Sequence, residues 1–141
     1  MTELERALNE VGFLCMPFKG TSMLPLFKEG RDKVEIYKYT PKTPLKKGDI
    51  ILYKRESGLY VLHRIMAFKG EEMVLCGDNH TTLEYGVKYS QVLGVCTGYY
   101  RYDKYVDFSK SLKYKFYKNT FAKFRIIRRV RHLLIRVFKG K

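Results

Sequence analysis

IILYKRESGLYVLHRIM, residues 50–66, contains two apolar runs separated by a short polar turn. The first run, at 50–53, is continuously apolar and is predicted to be a strand. Residues 56–58 (Glu-Ser-Gly) have the composition of a hairpin loop, and the second apolar run follows at 59–66. This stretch therefore predicts an antiparallel β-hairpin.

Short apolar runs and turns continue on both sides of this hairpin. Further runs with strand character lie at 34–37, 73–76 and 92–100. Short strands at this spacing are typical of compact antiparallel sheets and partly open barrels. We therefore predict a mainly β fold, built on a compact antiparallel sheet or partly open barrel.

A short helix is predicted before the first strand. Leu4, Leu8 and Val11 are spaced by four and three residues, as on one face of a helix. Thr2 and Glu5 have the spacing of a capping box, and Gly12 is a helix-ending residue. The sequence thus predicts an N-terminal helix over residues 2–12.

The basic charge is concentrated in the last quarter of the chain. The net charge is +14, and residues 109–141 contain twelve Lys or Arg and no Asp or Glu. Apolar residues in this segment recur at spacings of three and four, at Phe121, Phe124, Ile127, Val130, Leu134 and Val137. We predict a basic amphipathic helical tail at 109–141, following a domain at 1–108.

Three roles for this tail remain open from the sequence. Its apolar face could dock on the domain while its arginines are solvated. It could instead lie on an anionic membrane surface, to which basic residues are attracted. Binding of nucleic acid or of an acidic leader peptide is the least favoured of the three.

The remaining composition limits the class of protein. Cys15, Cys76 and Cys96 fit no zinc-site or Cys-x-x-Cys spacing, so neither a metal nor a cofactor is expected. No segment approaches the ~18 consecutive apolar residues that span a bilayer. Acidic residues near the start argue against a secretory signal. We expect a cytoplasmic protein, either free or peripheral at the inner face of the plasma membrane.

Three short segments contain the residue types of nucleophilic catalysis. They are GTSMLP at 20–25 with Ser22, VLHRI at 61–65 with His63, and CGDN at 76–79 with Asp78. A serine hydroxyl is a poor nucleophile unless a base takes its proton. A third group that fixes the tautomer of the base assists it further.

Together with KGDIILY at 47–53 and VLGV at 92–95, these segments resemble the superfamily of signal peptidases and LexA-type self-cleaving peptidases. The blocks occur in the family's order and cover roughly residues 15–97. The resemblance implies that Ser22, within Ser-Met-x-Pro, is the nucleophile. In bacterial signal peptidases and LexA-like proteins the base is a lysine. His63 stands in its place here, as in archaeal, endoplasmic-reticulum and sporulation-type signal peptidases.

The same branch implies supporting residues around this pair. Asp78 would accept a hydrogen bond from His63, and Glu84 holds the place of a second acidic residue that is an aspartate in those enzymes. Gly20 and Thr21 would form a loop whose amides face the oxyanion. Gly20 departs from the serine that is frequent at its position in bacterial enzymes.

The resemblance implies a serine endopeptidase that cleaves a precursor peptide or protein. The membrane helix usual in signal peptidases is missing from the sequence, as are the DNA-binding domain and cleavage segment of a LexA-like regulator. The alternative is a non-catalytic membrane- or nucleic-acid-binding module with a peptidase-like core. His80 and Lys54 are other candidate bases, but the order of the blocks favours His63.

Overall fold

The computed structural model of the protein describes residues 1–123 and 125–139. Within these residues, eight strands form one sheet that is accompanied by three helices. The strands are β1 (Phe13–Pro17), β2 (Asp32–Lys38), β3 (Ile50–Lys54), β4 (Tyr60–Lys69), β5 (Glu72–Cys76), β6 (Glu84–Lys88), β7 (Val92–Arg101) and β8 (Lys104–Asp107). The helices are α1 (Glu3–Val11), α2 (Leu112–Asn119) and α3 (Arg125–Lys139). The predicted mainly β fold is confirmed.

The sheet is antiparallel throughout and does not close into a barrel. Its strand order is β1-β2-β7-β3-β4-β5-β6, and β8 pairs with β7. The hairpin predicted at 50–66 corresponds to β3 and β4, in which Ile51 lies opposite His63. β1 and β6 lie at the two ends of the main strand order, so each has one edge without a neighbouring strand in it.

Alternating side chains along the strands bury two apolar clusters. Ile50 and Leu52 of β3 belong to one cluster, which also contains Met23 and Phe27 from the loop between β1 and β2. Ile51 and Tyr53 belong to the other cluster. The continuous apolar run of β3 is thereby explained, because the strand is covered on both faces.

The predicted N-terminal helix is confirmed together with its caps. The Thr2 side chain accepts a hydrogen bond from the Glu5 amide, and the Thr2 backbone N–H donates one to the Glu5 carboxylate. Gly12 has φ +85°, in the left-handed region that glycine adopts without strain, and its N–H donates to Leu8.

The basic segment after residue 108 contains two helices. α3 corresponds to the predicted amphipathic helix, although Phe124 of its apolar stripe lies outside the described residues. α2 was not predicted as a separate helix. Tyr114 of α2 is buried and stacks on Phe108 with ring centroids 3.8 Å apart. No helix in the described part of the chain has the length and apolar character to cross a bilayer.

The orientation of α3 contradicts one of the three roles considered for the tail. Arg128 is fully buried against the sheet, whereas apolar residues such as Leu134 and Phe138 are exposed. The expectation that an apolar face docks while the arginines are solvated is therefore wrong.

Candidate active site

Ser22 lies in the loop between β1 and β2, and buried apolar side chains of this loop anchor it to the core. Met23 and Phe27 on either side of the turn have no exposed surface. Gly20 has φ +90°, a conformation that favours glycine and lets the chain turn sharply before Ser22. The anchored loop therefore holds the hydroxyl-bearing residue in a defined place.

His63 lies on β4 and faces the same cleft as Ser22. The cleft has a volume of about 650 Å³, and its lining includes Ser22, His63 and His80. Most of its other walls are apolar, contributed by Met16, Pro17, Phe18, Leu52, Leu59, Val61 and Leu62 among others. The structure thus brings the predicted serine and histidine to one concave surface.

Gly77 lies close to both the backbone of Ser22 and the side chain of His63. A Cβ at this position would lie 2.5 Å from the Ser22 carbonyl oxygen and 3.0 Å from Nε2 of His63. The Ser22 carbonyl also accepts a hydrogen bond from the Asn79 N–H at 3.0 Å. Glycine is therefore needed here for close backbone approach.

We expect Gly77→Ala to reduce kcat/KM at least about tenfold, because the new methyl group would push the Ser22 loop away from His63. Circular dichroism should still show a folded β protein, with a loss of about 1–3 kcal/mol in the free energy of unfolding. A peptidase assay paired with denaturant unfolding would measure both quantities. Gly58→Ala is the control: nothing lies within 4 Å of a Cβ at that turn glycine, but its φ of +93° strains an alanine, so this variant should lose stability while kcat/KM is retained. Equal activity in the Gly77 variant and wild type would show that this approach is not required.

Burial keeps His63 neutral. Its side chain is only 4% exposed. Burial, followed by the positive charges of His80 and Arg55, lowers the pKa of His63 from 6.5 to about 4. The imidazole is therefore uncharged at neutral pH, which is the form that can accept a proton.

Tyr53 fixes the tautomer of this imidazole. Its hydroxyl donates to Oε1 of Glu84 at 2.7 Å and lies 3.4 Å from Nδ1 of His63. Since the hydroxyl has one proton and gives it to the carboxylate, it can only accept from Nδ1–H. The lone pair is then on Nε2, the nitrogen nearer the Gly77 and Ser22 backbone.

Glu84 is held as a carboxylate by two donors. Burial would raise the pKa of Glu84, but hydrogen bonds from Arg55 and Tyr53 outweigh it and leave the pKa below its ordinary value. Arg55 donates to both carboxylate oxygens, at 2.7 and 3.2 Å. Glu84 therefore reaches His63 through Tyr53 and not directly.

The expectation that Asp78 hydrogen-bonds to His63 is wrong. Asp78 is fully buried, and its two oxygens accept from Nε and Nη2 of Arg64, each at 2.8 Å. Tyr117 of α2 also donates to Asp78, at 2.8 Å. The physical reason is strand alternation: Arg64 follows His63 directly and so points to the opposite face, and Asp78 lies with Arg64.

The Gly20–Thr21 loop retains unused backbone donors. Within residues 1–123 and 125–139, the N–H groups of Thr21 and Ser22 donate no hydrogen bond. Amides of this kind can bind a developing oxyanion when a carbonyl group is attacked nearby.

Four contributors to the site were missed in the sequence: Tyr53, Arg64, Asn79 and Arg128. Tyr53 was detectable in principle, because it lies diagonally across the β3–β4 pairing from His63 on the same face. Arg64 was detectable from the same alternation that places it opposite His63. Asn79 contacts α3, and Arg128 lies on α3. Both depend on contacts between residues far apart in the sequence, for which no local pattern exists.

Asn79 joins the Ser22 loop to α3. Its side-chain amide donates to the Thr21 carbonyl at 3.0 Å, and its Oδ1 accepts from Arg131 at 2.6 Å. Nε2 of His132 lies 3.2 Å from the same oxygen. One asparagine therefore connects the backbone beside Ser22 with two residues of the C-terminal helix.

The other candidate bases are differently placed. Lys54 pairs with Glu5 at 3.5 Å and is not among the residues that line the cleft. His80 does line it, with its ring centroid 5.3 Å from that of His63 in an edge-to-face arrangement. Burial and nearby positive charges, beginning with His132, lower the pKa of His80.

Within the described residues, no group of three or more His, Cys, Asp or Glu is arranged to hold a metal ion. Comparison of the chain with protein-family models, with curated proteins and with solved structures gave no match.

Proposed function

We propose that the protein is a serine endopeptidase in which Ser22 is the nucleophile and His63 the general base. The observation that carries the proposal is the shared cleft, in which the Nε2 side of a neutral imidazole lies beside the Ser22 loop. The resemblance of the motifs to signal peptidases of the Ser-His branch supports the same pair.

The reaction would follow the usual two steps of acyl transfer. His63 takes the Ser22 proton as the hydroxyl attacks the scissile carbonyl, and then delivers it to the leaving amine. In the second step His63 takes a proton from the water that attacks the acyl-enzyme and returns it to the departing Ser22 oxygen, which releases the acid product. The N–H groups of Thr21 and Ser22 are the proposed oxyanion donors, each worth about 3 kcal/mol in comparable enzymes.

Tyr53 and Glu84 take the positioning role that Asp78 was expected to have. The Glu84 carboxylate orients the Tyr53 hydroxyl, and that hydroxyl holds Nδ1–H of His63. When His63 becomes cationic during the reaction, the negative charge of Glu84 nearby stabilises it. Asp78 instead stabilises the loop that ends β5.

The proposed substrate is an extended segment of a precursor peptide or protein. The cleft walls are mostly apolar, so apolar side chains of the substrate would fit beside Leu52 and Leu62. Residues 16 and 17 of the edge strand β1 also line the cleft, and an unpaired strand edge can hydrogen-bond an extended chain.

Labelling by a serine-directed activity probe tests the proposal. Wild-type protein should be labelled and should cleave members of a peptide library, and Ser22→Ala should do neither. Ser57→Ala, at an exposed turn serine, is the matched control and should behave as wild type. The non-catalytic alternative would be supported if the wild-type protein were neither labelled nor active. It would also be supported if the Ser22→Ala variant were still labelled.

The pH profile of kcat/KM should have its acidic limb near pH 4. Since the pKa of His63 is lowered to about 4, the base remains neutral at pH 5.5, where an ordinary histidine would be only about one-tenth neutral. We therefore expect nearly full kcat/KM at pH 5.5. The unfolded chain binds the His63 proton first as pH falls below 6.5, so stability should decrease from there towards pH 4. A limb at pH 6.5 or above would contradict the assignment of His63; circular dichroism at each pH controls for unfolding.

A further inference from the structure

α3 faces the rest of the protein with a polar stripe. Its inward-facing residues recur at spacings of three and four: Arg128, Arg131, His132 and Ile135. Arg128 has no exposed surface, and its Nη1 lies 3.3 Å from the Gly77 carbonyl oxygen and 3.4 Å from that of His80. Its Nη2 donates to the Ala122 carbonyl and lies 3.7 Å from Oδ1 of Asp78.

The opposite face of α3 is apolar and uncovered. Six large apolar side chains on it are between 38% and 72% exposed: Ile127, Val130, Leu133, Leu134, Val137 and Phe138. The helix cannot rotate this face inward without removing the Arg128 guanidinium from the buried Gly77, His80 and Ala122 carbonyls that it contacts. The apolar face is therefore fixed towards the outside.

Positive charge lies beside this apolar face. Arg129, Arg136 and Lys139 are exposed on α3. Residues 109–141 contain twelve Lys or Arg and no acidic residue. Of the surfaces that could cover α3, a suitable one must combine negative charge with an apolar interior.

We infer that the exposed face of α3 binds the surface of an anionic lipid bilayer. The six apolar side chains would enter the boundary between headgroups and acyl chains, and the flanking cations would lie among anionic headgroups. A helix of fifteen residues is about 22 Å long and would lie in the plane of the surface.

Two other occupants fit less well. A second copy of the chain would bring two strongly basic helices together, and their repulsion opposes such a pair. Nucleic acid would neutralise the charge, but its phosphate backbone would leave the six apolar side chains in water.

Sedimentation of the 141-residue chain with lipid vesicles tests the inference. Vesicles of equal parts phosphatidylcholine and phosphatidylglycerol should bind the protein, and pure phosphatidylcholine vesicles should bind it at least about tenfold more weakly. Leu134→Gln/Phe138→Gln should weaken binding to the anionic vesicles by at least about tenfold. Arg129→Gln/Arg136→Gln should weaken it by a similar factor.

The matched control is Val11→Gln/Tyr85→Gln, which alters two apolar residues that are similarly exposed elsewhere, at 69% and 60%. This variant should bind as wild type does, and thermal unfolding should show that all variants are folded. Wild-type binding by the Leu134/Phe138 variant, or equal losses in the control, would overturn the inference. Tighter binding to duplex DNA than to anionic vesicles would also overturn the inference and would favour nucleic acid as the partner. The assay requires no peptidase activity, so its outcome is independent of the proposed function.

Discussion

His63→Gln is expected to lower kcat/KM roughly 10²- to 10⁴-fold, the range that a positioned general base contributes. Glutamine retains a polar side chain in the space beside Tyr53 but cannot take the Ser22 proton. Because His63 is neutral in the folded protein, the substitution removes no buried charge. Stability should therefore change little, and denaturant unfolding would separate loss of chemistry from loss of fold.

His80→Gln is the matched control for this prediction. His80 lines the same cleft and its ring lies against His63, but no described contact joins it to the Ser22 loop. We expect a change of only a few-fold in kcat/KM for this variant. A large loss with His80→Gln and a small one with His63→Gln would exchange the roles of the two imidazoles.

Asp78→Asn is expected to reduce the free energy of unfolding by about 3–5 kcal/mol, because it leaves the Arg64 guanidinium buried without its counter-charge. The side chains of Arg64 and Asp78 are 1% and 0% exposed, so solvent cannot compensate. Tyr117 would lose its carboxylate acceptor as well. Urea unfolding followed by circular dichroism measures the loss.

Glu84→Gln provides the contrast to Asp78→Asn. The Arg55–Glu84 pair is 37% and 29% exposed, so breaking it should cost about 1 kcal/mol or less. Its effect should instead fall on kcat, through the Tyr53–His63 contact. The positioning role would return to Asp78 if Asp78→Asn lost activity at full stability and Glu84→Gln kept full activity.

The elements with a local signal were predicted well from the sequence. The capping box of α1 and the hairpin of β3 and β4 are encoded within a few neighbouring residues, and both are present. β1, β6 and β8 were not predicted as separate strands. β6 is short and contains Gly86 at φ +77°, and its pairing with β5 depends on contacts that the sequence pattern does not encode.

Within the site, Ser22 and His63 were found from their motifs, but the partner of His63 was not. A short motif specifies residue types and their order. It does not specify that Asp78 forms a buried ion pair with Arg64 and that Glu84 contacts Tyr53. Asp78 and Glu84 are both acidic residues near His63 in the sequence pattern. The difference between them arises from strand alternation at Arg64 and from the tyrosines of α2, which lie far away along the chain.

The contact between α3 and the Gly77–Asn79 turn also bears on when the Ser22 loop gains its full set of contacts during synthesis. Arg128, Arg131 and His132 meet the turn beside Ser22, although they are made about fifty residues after it. A nascent chain that has emerged only as far as β8 lacks these supports, as well as Tyr117 against Asp78. The order of translation thus delays the full support of this turn until α3 has left the ribosome.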